Sequence, residues 1–272
     1  MMTESKYIDV NGISTHYLES GQGEPVLLIH GSGPGVTAEA NWRLIIPKLS
    51  ENFHVYAPDI VGFGYTERPE TIEYGVETWA NHLIGFIKEI GESRVHIIGN
   101  SLGGALALHI AHKRPDLVGR MVLMGAAGLP FTMTYGLDKV WGYEPSVENM
   151  KRLLEIFAYN QEFATDELAQ LRYEASIQPG LQEAFSKMFA EPRQEKLNAL
   201  ALSEEQLKQI EHPVLMVHGR DDIVVPYKET SLRYLELLPN SELHLFSKCG
   251  HWTQIEKKDE FAQLCENFFL RG

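Results

Sequence analysis

The stretch RVHIIGNSLGGALALHIAH, residues 94–112, decides the architecture. Arg94 to Gly99 is a short apolar run, the pattern of a strand buried on both faces. Leu102 to His112 reads as a helix rich in small residues. Between them, Gly99-Asn100-Ser101-Leu102-Gly103 matches G-x-S-x-G. Alone, that pattern arises by chance about once in ten chains of this length. Its placement between a strand and a helix is the stronger signal. A sharp turn there forces the serine into a strained conformation, and the flanking glycines leave room for it. Gly104 and Ala105 extend the run of small residues, so the helix can pack close to the sheet. The helix N-terminus aims free N–H groups and positive potential at the serine oxygen. Ser101 is thus a candidate nucleophile; the bland alternative is an idle serine in a Gly-rich turn.

Outward from this stretch, strands and helices alternate. Residues 6–19 contain Asn11-Gly12 and read as a hairpin. Strands are expected at 25–30 and 54–60, and helices at 39–50 and 77–90. A strand at 120–124 follows the 94–112 unit. Short strands that are apolar throughout indicate a mostly parallel sheet with helices on both faces. From Leu129 to Glu211 the strand pattern stops, and amphipathic segments such as 147–158 and 166–175 appear. The alternation resumes with a strand at 214–218, a helix at 227–238, a strand at 242–247 and a helix at 258–270. The expected organisation is an α/β core domain of residues 1–128 and 212–272, split by a helical cap over 129–211.

The totals fit this reading. The chain has 272 residues, enough to bury a core without disulfides or metals. Its formal charge of −13 argues against nucleic acid and anionic membranes as partners. It leaves room for an anionic small substrate, because a local basic group can override the net field. Two cysteines, Cys249 and Cys265, fit reduced thiols rather than a disulfide scaffold. The first six residues lack the apolar core of a signal peptide, and no apolar stretch is long enough to span a membrane. A cytoplasmic location is expected.

A serine nucleophile needs a base, and the base needs a partner that fixes its tautomer. In the α/β-hydrolase fold the chain order is Ser, then Asp or Glu, then His. His251, in Cys249-Gly250-His251-Trp252 after the last strand, is the candidate base. The acid lies in Gly219-Arg220-Asp221-Asp222. Adjacent residues cannot both point inward, and spacing favours Asp222 over Asp221. His30-Gly31-Ser32-Gly33-Pro34-Gly35 follows a strand and supplies a candidate oxyanion hole, from the backbone N–H groups of Ser32 and Leu102. It lacks the G-K-[ST] ending of a phosphate loop. His109 and His112 share a helix face without a third ligand, so packing is the better reading for them. His30 and His218 read as structural. No metal signature is visible.

These residues resemble a particular family. The loop HGSGPG with Asn41-Trp42-Arg43, the turn GNSLGGALAL, the acid segment HGRDD and the terminal CGHWTQIE are similar to the meta-cleavage product hydrolases. Those enzymes cut carbon–carbon bonds in ring-opened catechols. The resemblance spans nearly the whole chain, including Leu171 to Ile177, and points toward the 2-hydroxymuconic semialdehyde hydrolases. It implies that Asn41 and Asn100 hydrogen-bond a dienoate beside the nucleophile. It implies that Arg172 holds the substrate carboxylate and its oxo/enol oxygens, and that Trp252 walls the pocket. From spacing alone, Arg172 would read as a solvated helix residue, Asn41 as a helix N-terminal residue and Trp252 as core. Trp141, Phe157 and Met188 are candidates equally for pocket wall and for core packing. One departure is Leu102, where some relatives carry a larger residue; this bears on pocket shape rather than on the triad.

The implied reaction is cleavage of the C5–C6 bond of a 2-hydroxy-6-oxohexa-2,4-dienoate, either the semialdehyde or a 6-alkyl analogue. It uses no cofactor and no metal, and the resemblance suggests a homodimer. Two alternatives share the fold. A carboxylesterase or lactonase would leave Asn41, Asn100 and Arg172 unpaired by an apolar ester. A non-catalytic ligand-binding relative would be expected to lack a member of the triad. A dehalogenase would carry Asp at position 101.

Overall fold

The Asn11-Gly12 dipeptide reverses the chain. Both residues take positive φ, 54° and 82°, as a tight hairpin turn matched to strand twist requires. Strand β1 (Glu4–Val10) therefore pairs antiparallel with β2 (Ile13–Ser20). The computed structural model describes residues 2–271; Met1 and Gly272, the outer limits of the expected core domain, lie outside the described residues.

Six further strands complete one sheet: β3 (Glu24–Ile29), β4 (Phe53–Pro58), β5 (Val95–Asn100), β6 (Val118–Met124), β7 (Val214–Gly219) and β8 (Ser241–Phe246). Their order is β1-β2-β4-β3-β5-β6-β7-β8. The pairs from β4 to β8 are all parallel, and β2 runs antiparallel to β4. The strand order reverses between β3 and β5, because the chain leaves β3 in one direction and returns on its other side. In open α/β sheets such a switch point opens a crevice beyond the carboxyl ends of the strands. The loop after β3 and the turn after β5 meet there.

Alternation along the strands loads both faces of the sheet. Val26 and Leu28 of β3 join Trp42, Ile46, Phe261 and Phe268 on one face. That side is covered by α1 (Ala38–Trp42), α2 (Ile46–Leu49) and α13 (Lys258–Phe269). Leu27 and Ile29 join the other cluster with Leu83, Phe86, Leu106 and Ile110. Its helices are α3 (Val76–Glu89) and α4 (Leu102–Lys113). Most elements begin and end within a residue or two of expectation. The single helix expected over 39–50 is two short ones, with Pro47 in the first turn of α2, where its missing N–H costs nothing. The helix expected from 227 begins later, as α11 (Ser231–Leu237), after a turn in which Thr230 N–H donates to Pro226 C=O. A short helix, α12 (Thr253–Glu256), follows His251 and was not expected.

Between β6 and β7 the described residues form helices and no strand: α5 (Tyr135–Trp141), α6 (Val147–Phe157), α7 (Asp166–Ser176), α8 (Leu181–Met188), α9 (Arg193–Asn198) and α10 (Glu204–Lys208). Hydroxyl caps at Thr134, Ser146, Thr165 and Ser203 begin four of them. Each accepts a first-turn N–H that would otherwise lack a partner, a contribution of about 1 kcal/mol per cap. Their apolar faces, with Leu137, Trp141, Leu153, Phe157 and Phe189, run on into the larger core cluster. No helix among the described residues is long and apolar enough to cross a membrane.

His82 gives the fold a pH signature. It lies buried on α3, bonds Thr15 Oγ1 through Nε2 at 2.9 Å, and leaves Nδ1 without a partner. Burial pushes its pKa down to about 4. The unfolded chain binds this proton near pH 6.5, so the neutral ring's contribution is complete above that value. It is lost as pH falls toward 4. His82→Leu is expected to flatten the fall in stability between pH 6.5 and 4, read as urea midpoints of variant and parent across that range.

Candidate active site

The turn at Ser101 is the centre of the site. Ser101 has φ 53° and ψ −111°, a conformation that an L-residue holds only under constraint. Four hydrogen bonds pin it. Its N–H donates to Met124 C=O at 2.9 Å, and its own C=O accepts from the N–H groups of Gly104, Ala105 and Ala127. The flanking glycines are required by contact. A Cβ on Gly103 would lie 2.2 Å from Ile29 O, and one on Gly99 would lie 2.4 Å from Gly103 O. Strands β3 and β5 and the start of α4 thus approach too closely for any side chain. The Ser101 hydroxyl faces a narrow cavity lined also by Ser32, Asn41, Asn100, Phe157, Arg172, His251 and Trp252.

Asp222 and His251 arrive on the loops after β7 and β8. His251 Nδ1 lies 2.7 Å from Asp222 Oδ2. The same carboxylate oxygen lies 3.0 Å from His218 Nε2, while Oδ1 accepts the N–H groups of Val224 and Val225 at 2.7 and 3.0 Å. Burial alone would raise the pKa of this carboxyl. The neighbouring His251 charge and the bonds from His218 and His251 outweigh burial and hold Asp222 well below the usual carboxylate range. Asp221 turns the other way: its Oδ2 accepts Lys248 N–H at 2.9 Å, tying the two loops together. Ser101 and His251 line the same cavity, and the Ser101 hydroxyl has no hydrogen-bond partner among the described residues. In a substrate-free site such contacts are often long and tighten on binding.

The glycine-rich loop after β3 carries Ser32 beside the Ser101 turn. Neither the Ser32 nor the Leu102 backbone N–H bonds to another group among the described residues, which leaves both free to donate. The Ser32 hydroxyl accepts Trp141 Nε1–H at 3.0 Å, and Arg172 Nη2 donates to Pro34 C=O at 3.2 Å. Helices α5 and α7 are therefore fastened to this loop. Arg172 has no carboxylate within ion-pair distance among the described residues. Its side chain is half-buried and lines cavities on two sides. Burial, with the Arg43 charge adding to it, pushes its pKa down to about 10, so it stays charged at neutral pH. Asn41 Nδ2 is buried without a partner; its Oδ1 accepts Gly31 N–H at 3.5 Å. Asn100 Nδ2 donates to Met124 C=O at 3.4 Å. Trp252 stacks on Phe157, with ring centroids 5.1 Å apart.

The residues left open between wall and core separate. Phe157 lines the cavity, Trp141 reaches it through Ser32, and Met188 packs in the core beside Gly62. His109 and His112 bond Leu200 C=O and the Gln206 side chain. The described residues hold no group of three or more His, Cys, Asp or Glu suited to a metal ion. Cavity size does not locate the site, since a larger hollow of about 280 Å³ beside Tyr135 and Asn149 contains none of these groups. Two contributors escaped the sequence reading. His218 read as structural, and instead donates to Asp222. Gly125 carried no signal; a Cβ there would press on His251 Nδ1 at 3.2 Å. A histidine four residues before the acid was the only available sign of the first.

These contacts separate the two aspartates experimentally. Asp222→Ala is expected to lower kcat on a 4-nitrophenyl ester by about 10³–10⁴. Asp221→Ala is expected to keep kcat within about threefold while lowering the melting temperature, as loss of one loop tie would. Equal losses of kcat would remove the distinction.

Comparison with known proteins identifies the family. The family model described as alpha/beta hydrolase fold matches residues 24–258. The chain is 53% identical to the 2-hydroxy-6-oxo-2,4-heptadienoate hydrolase of Pseudomonas putida F1, over 94% of this chain and 93% of that one. It is 47% identical to the 2-hydroxymuconate semialdehyde hydrolase of Pseudomonas sp. CF600, over 96% and 92%. Among solved structures it matches the meta-cleavage product hydrolase CumD of Pseudomonas fluorescens IP01, a serine-to-alanine mutant complexed with acetates. That match has a TM-score of 0.96 and 54% identity, covering 97% of each chain. The chain belongs to the α/β-hydrolase fold family and, within it, to the meta-cleavage product hydrolases.

Proposed function

We propose that this chain hydrolyses the C5–C6 bond of 2-hydroxy-6-oxohexa-2,4-dienoates that carry hydrogen or a methyl group at C6, in the breakdown of aromatic compounds. The observation that carries the reading is the unpaired guanidinium of Arg172 in the cavity that also holds Ser101 and His251. A charged group left without a counterion inside a protein calls for an anionic ligand. A dienoate carboxylate meets that need in bidentate fashion; a neutral ester does not. Asn41, with its free Nδ2, and Asn100 would bond the 2-oxygen. Residues 129–211 act as a cap over the core, since Phe157 and Arg172 both come from them.

The chemistry follows from these positions. The dienol ketonises first, with a proton moving to C5 while Arg172 and the asparagines hold the new 2-oxo group. Ser101 passes its proton to His251 and attacks C6. The oxygen that becomes negative sits on the Ser32 and Leu102 N–H groups, an arrangement in which each donor contributes about 3 kcal/mol. The C5–C6 bond breaks, its electron pair enters the conjugated 2-oxo acid, and the His251 imidazolium gives its proton to that fragment, which leaves as 2-hydroxypenta-2,4-dienoate. Water, deprotonated by His251, releases the acyl group from Ser101 as formate or acetate. Asp222 keeps the His251 proton on Nδ1 and stabilises the imidazolium.

The preference for a small C6 group is supported by Leu137, Val140, Phe157 and Val224, which crowd the cavity near the triad. It is supported also by the substrates named for the two relatives above, which differ at C6 by one methyl group. Loss of visible absorbance from the yellow dienoates is the measurement. The 6-hydrogen or 6-methyl substrate is expected to exceed the 6-phenyl analogue in kcat/KM by about tenfold or more, as crowding by a ring predicts; the reverse order would refute the small pocket. Ser101→Ala is expected to bind the dienoate and not cleave it. Arg172→Gln is expected to lower kcat/KM on the dienoate about 100-fold or more, the cost of removing a charge-assisted pair, and to change turnover of a neutral 4-nitrophenyl ester by less than about threefold. Equal losses on both substrates would assign Arg172 to the fold.

A further inference from the structure

A second cavity, of about 160 Å³, lies against the first. The two share Val36, Asn41, Arg172 and Trp252 in their linings. On its far side this second cavity is bounded by Arg43, Leu44, Phe163, Leu168 and Gln254. Its charge is anomalous. The chain carries 37 acidic and 24 basic residues, yet the lining includes two arginines and no carboxylate. Arg43 is exposed, and its Nη1 donates to the backbone C=O of Ala40 at 2.8 Å. Glu39, one turn earlier on α1, makes no ion pair with it among the described residues. Glu256, on the same short helix as Gln254, is turned away and accepts the N–H groups of Gly250 and Asn160.

The polar lining is also unsatisfied. Gln254 is 1% exposed, and its Oε1 has no partner. Asn41 Nδ2 is likewise buried and unpaired on the shared wall. Buried amides without partners cost about 1–3 kcal/mol each, so the wall is built for a polar visitor rather than for packing. Arg43 at the outer side and Arg172 at the inner wall are close enough for each to feel the other's charge.

We propose that this second cavity is the port through which the carboxylate end of an anionic substrate reaches Arg172, with Arg43 at its mouth drawing the anion in. The need for such a port follows from the net charge. A protein at −13 repels a dienoate at long range, and a local pair of guanidinium groups reverses the sign of the field where it matters. Arg43 does not touch the reacting atoms; it acts on capture. Asn41 Nδ2 supplies a neutral donor on the way to Arg172, so an anion passing inward is not held at an intermediate ion pair.

The proposal rests on the dienoate reading for its natural substrate, and its test does not. Arg43→Gln and Arg43→Glu are compared with the parent on two esters of one shape, 4-nitrophenyl hydrogen adipate and its neutral methyl ester, and on the dienoate. At low ionic strength, kcat/KM for the anionic ester is expected to fall about threefold in R43Q and about tenfold in R43E, since one charge acting through water is worth a factor of a few. The parent's decline in kcat/KM with added salt is expected to vanish in R43Q and invert in R43E, with kcat held. Turnover of the neutral ester is expected to stay level. If R43E keeps the parent's anionic-to-neutral ratio and its salt dependence, the port is overturned, whatever the dienoate result. If the ester pair responds as expected while the parent leaves the dienoate intact, the port stands and the carbon–carbon reading falls.

Discussion

The strained turn at Ser101 is the constraint on which the site depends. A residue held near φ 53° and ψ −111° costs on the order of 1–3 kcal/mol, and only surrounding structure can enforce it. Here the enforcement comes from three directions at once: β6 through Met124, α4 through Gly104, and the segment after β6 through Ala127. Close approach of β3, possible because Gly99 and Gly103 lack side chains, brings the Ser32 loop against the same turn. Because β3, β5, β7 and β8 run parallel, their carboxyl ends share one edge. Ser101, Asp222, His251 and the Ser32 loop therefore come from four separate stretches of chain without any long excursion.

Two charges at this edge are treated oppositely. Asp222 is saturated by donors, with two histidine nitrogens and two backbone N–H groups around its oxygens. Such a group is fixed in charge and position. Arg172 is half-buried and has no counterion among the described residues, where its one bond goes to the backbone oxygen of Pro34. The first arrangement suits a permanent orienting element. The second suits a receptor that is completed when an anion arrives. The same contrast separates His218, whose ring atoms all find partners, from Asn41 and Gln254, whose amides do not.

Much of this was legible in the residues because it is local. The 94–112 unit declares itself by an apolar run, a glycine-flanked serine and a helix of small residues, each of which reports on its own neighbourhood. The Asn11-Gly12 hairpin is readable for the same reason. The choice between Asp221 and Asp222 is not local: it depends on which side chain faces a histidine twenty-nine positions away, and adjacent residues in a turn differ only in direction. The break in the helix at 43–45 hinged on Pro47 beginning a new helix rather than ending an old one. His218 and Gly125 matter through contacts across the sheet edge, for which one sequence holds no periodic signal. Arg172 drew its role from resemblance alone, since its environment is made by Pro34, Asn41 and Trp252, none of them near it in sequence.

Phe157 ends α6 with a carbonyl that accepts both His251 N–H and Trp252 N–H, at 2.8 and 3.2 Å, and its ring lies against both aromatic rings. The last turn of a helix leaves carbonyls to be satisfied elsewhere, and here the loop of the base satisfies one of them. The docking of the helical stretch and the placement of the His251 backbone are consequently coupled. A chimaera that exchanged residues 129–211 for those of a relative, intending to alter only which molecule is admitted, would also reset the angle of the proton carrier. A change in the helical stretch is thus carried to the His251 backbone through a single peptide oxygen.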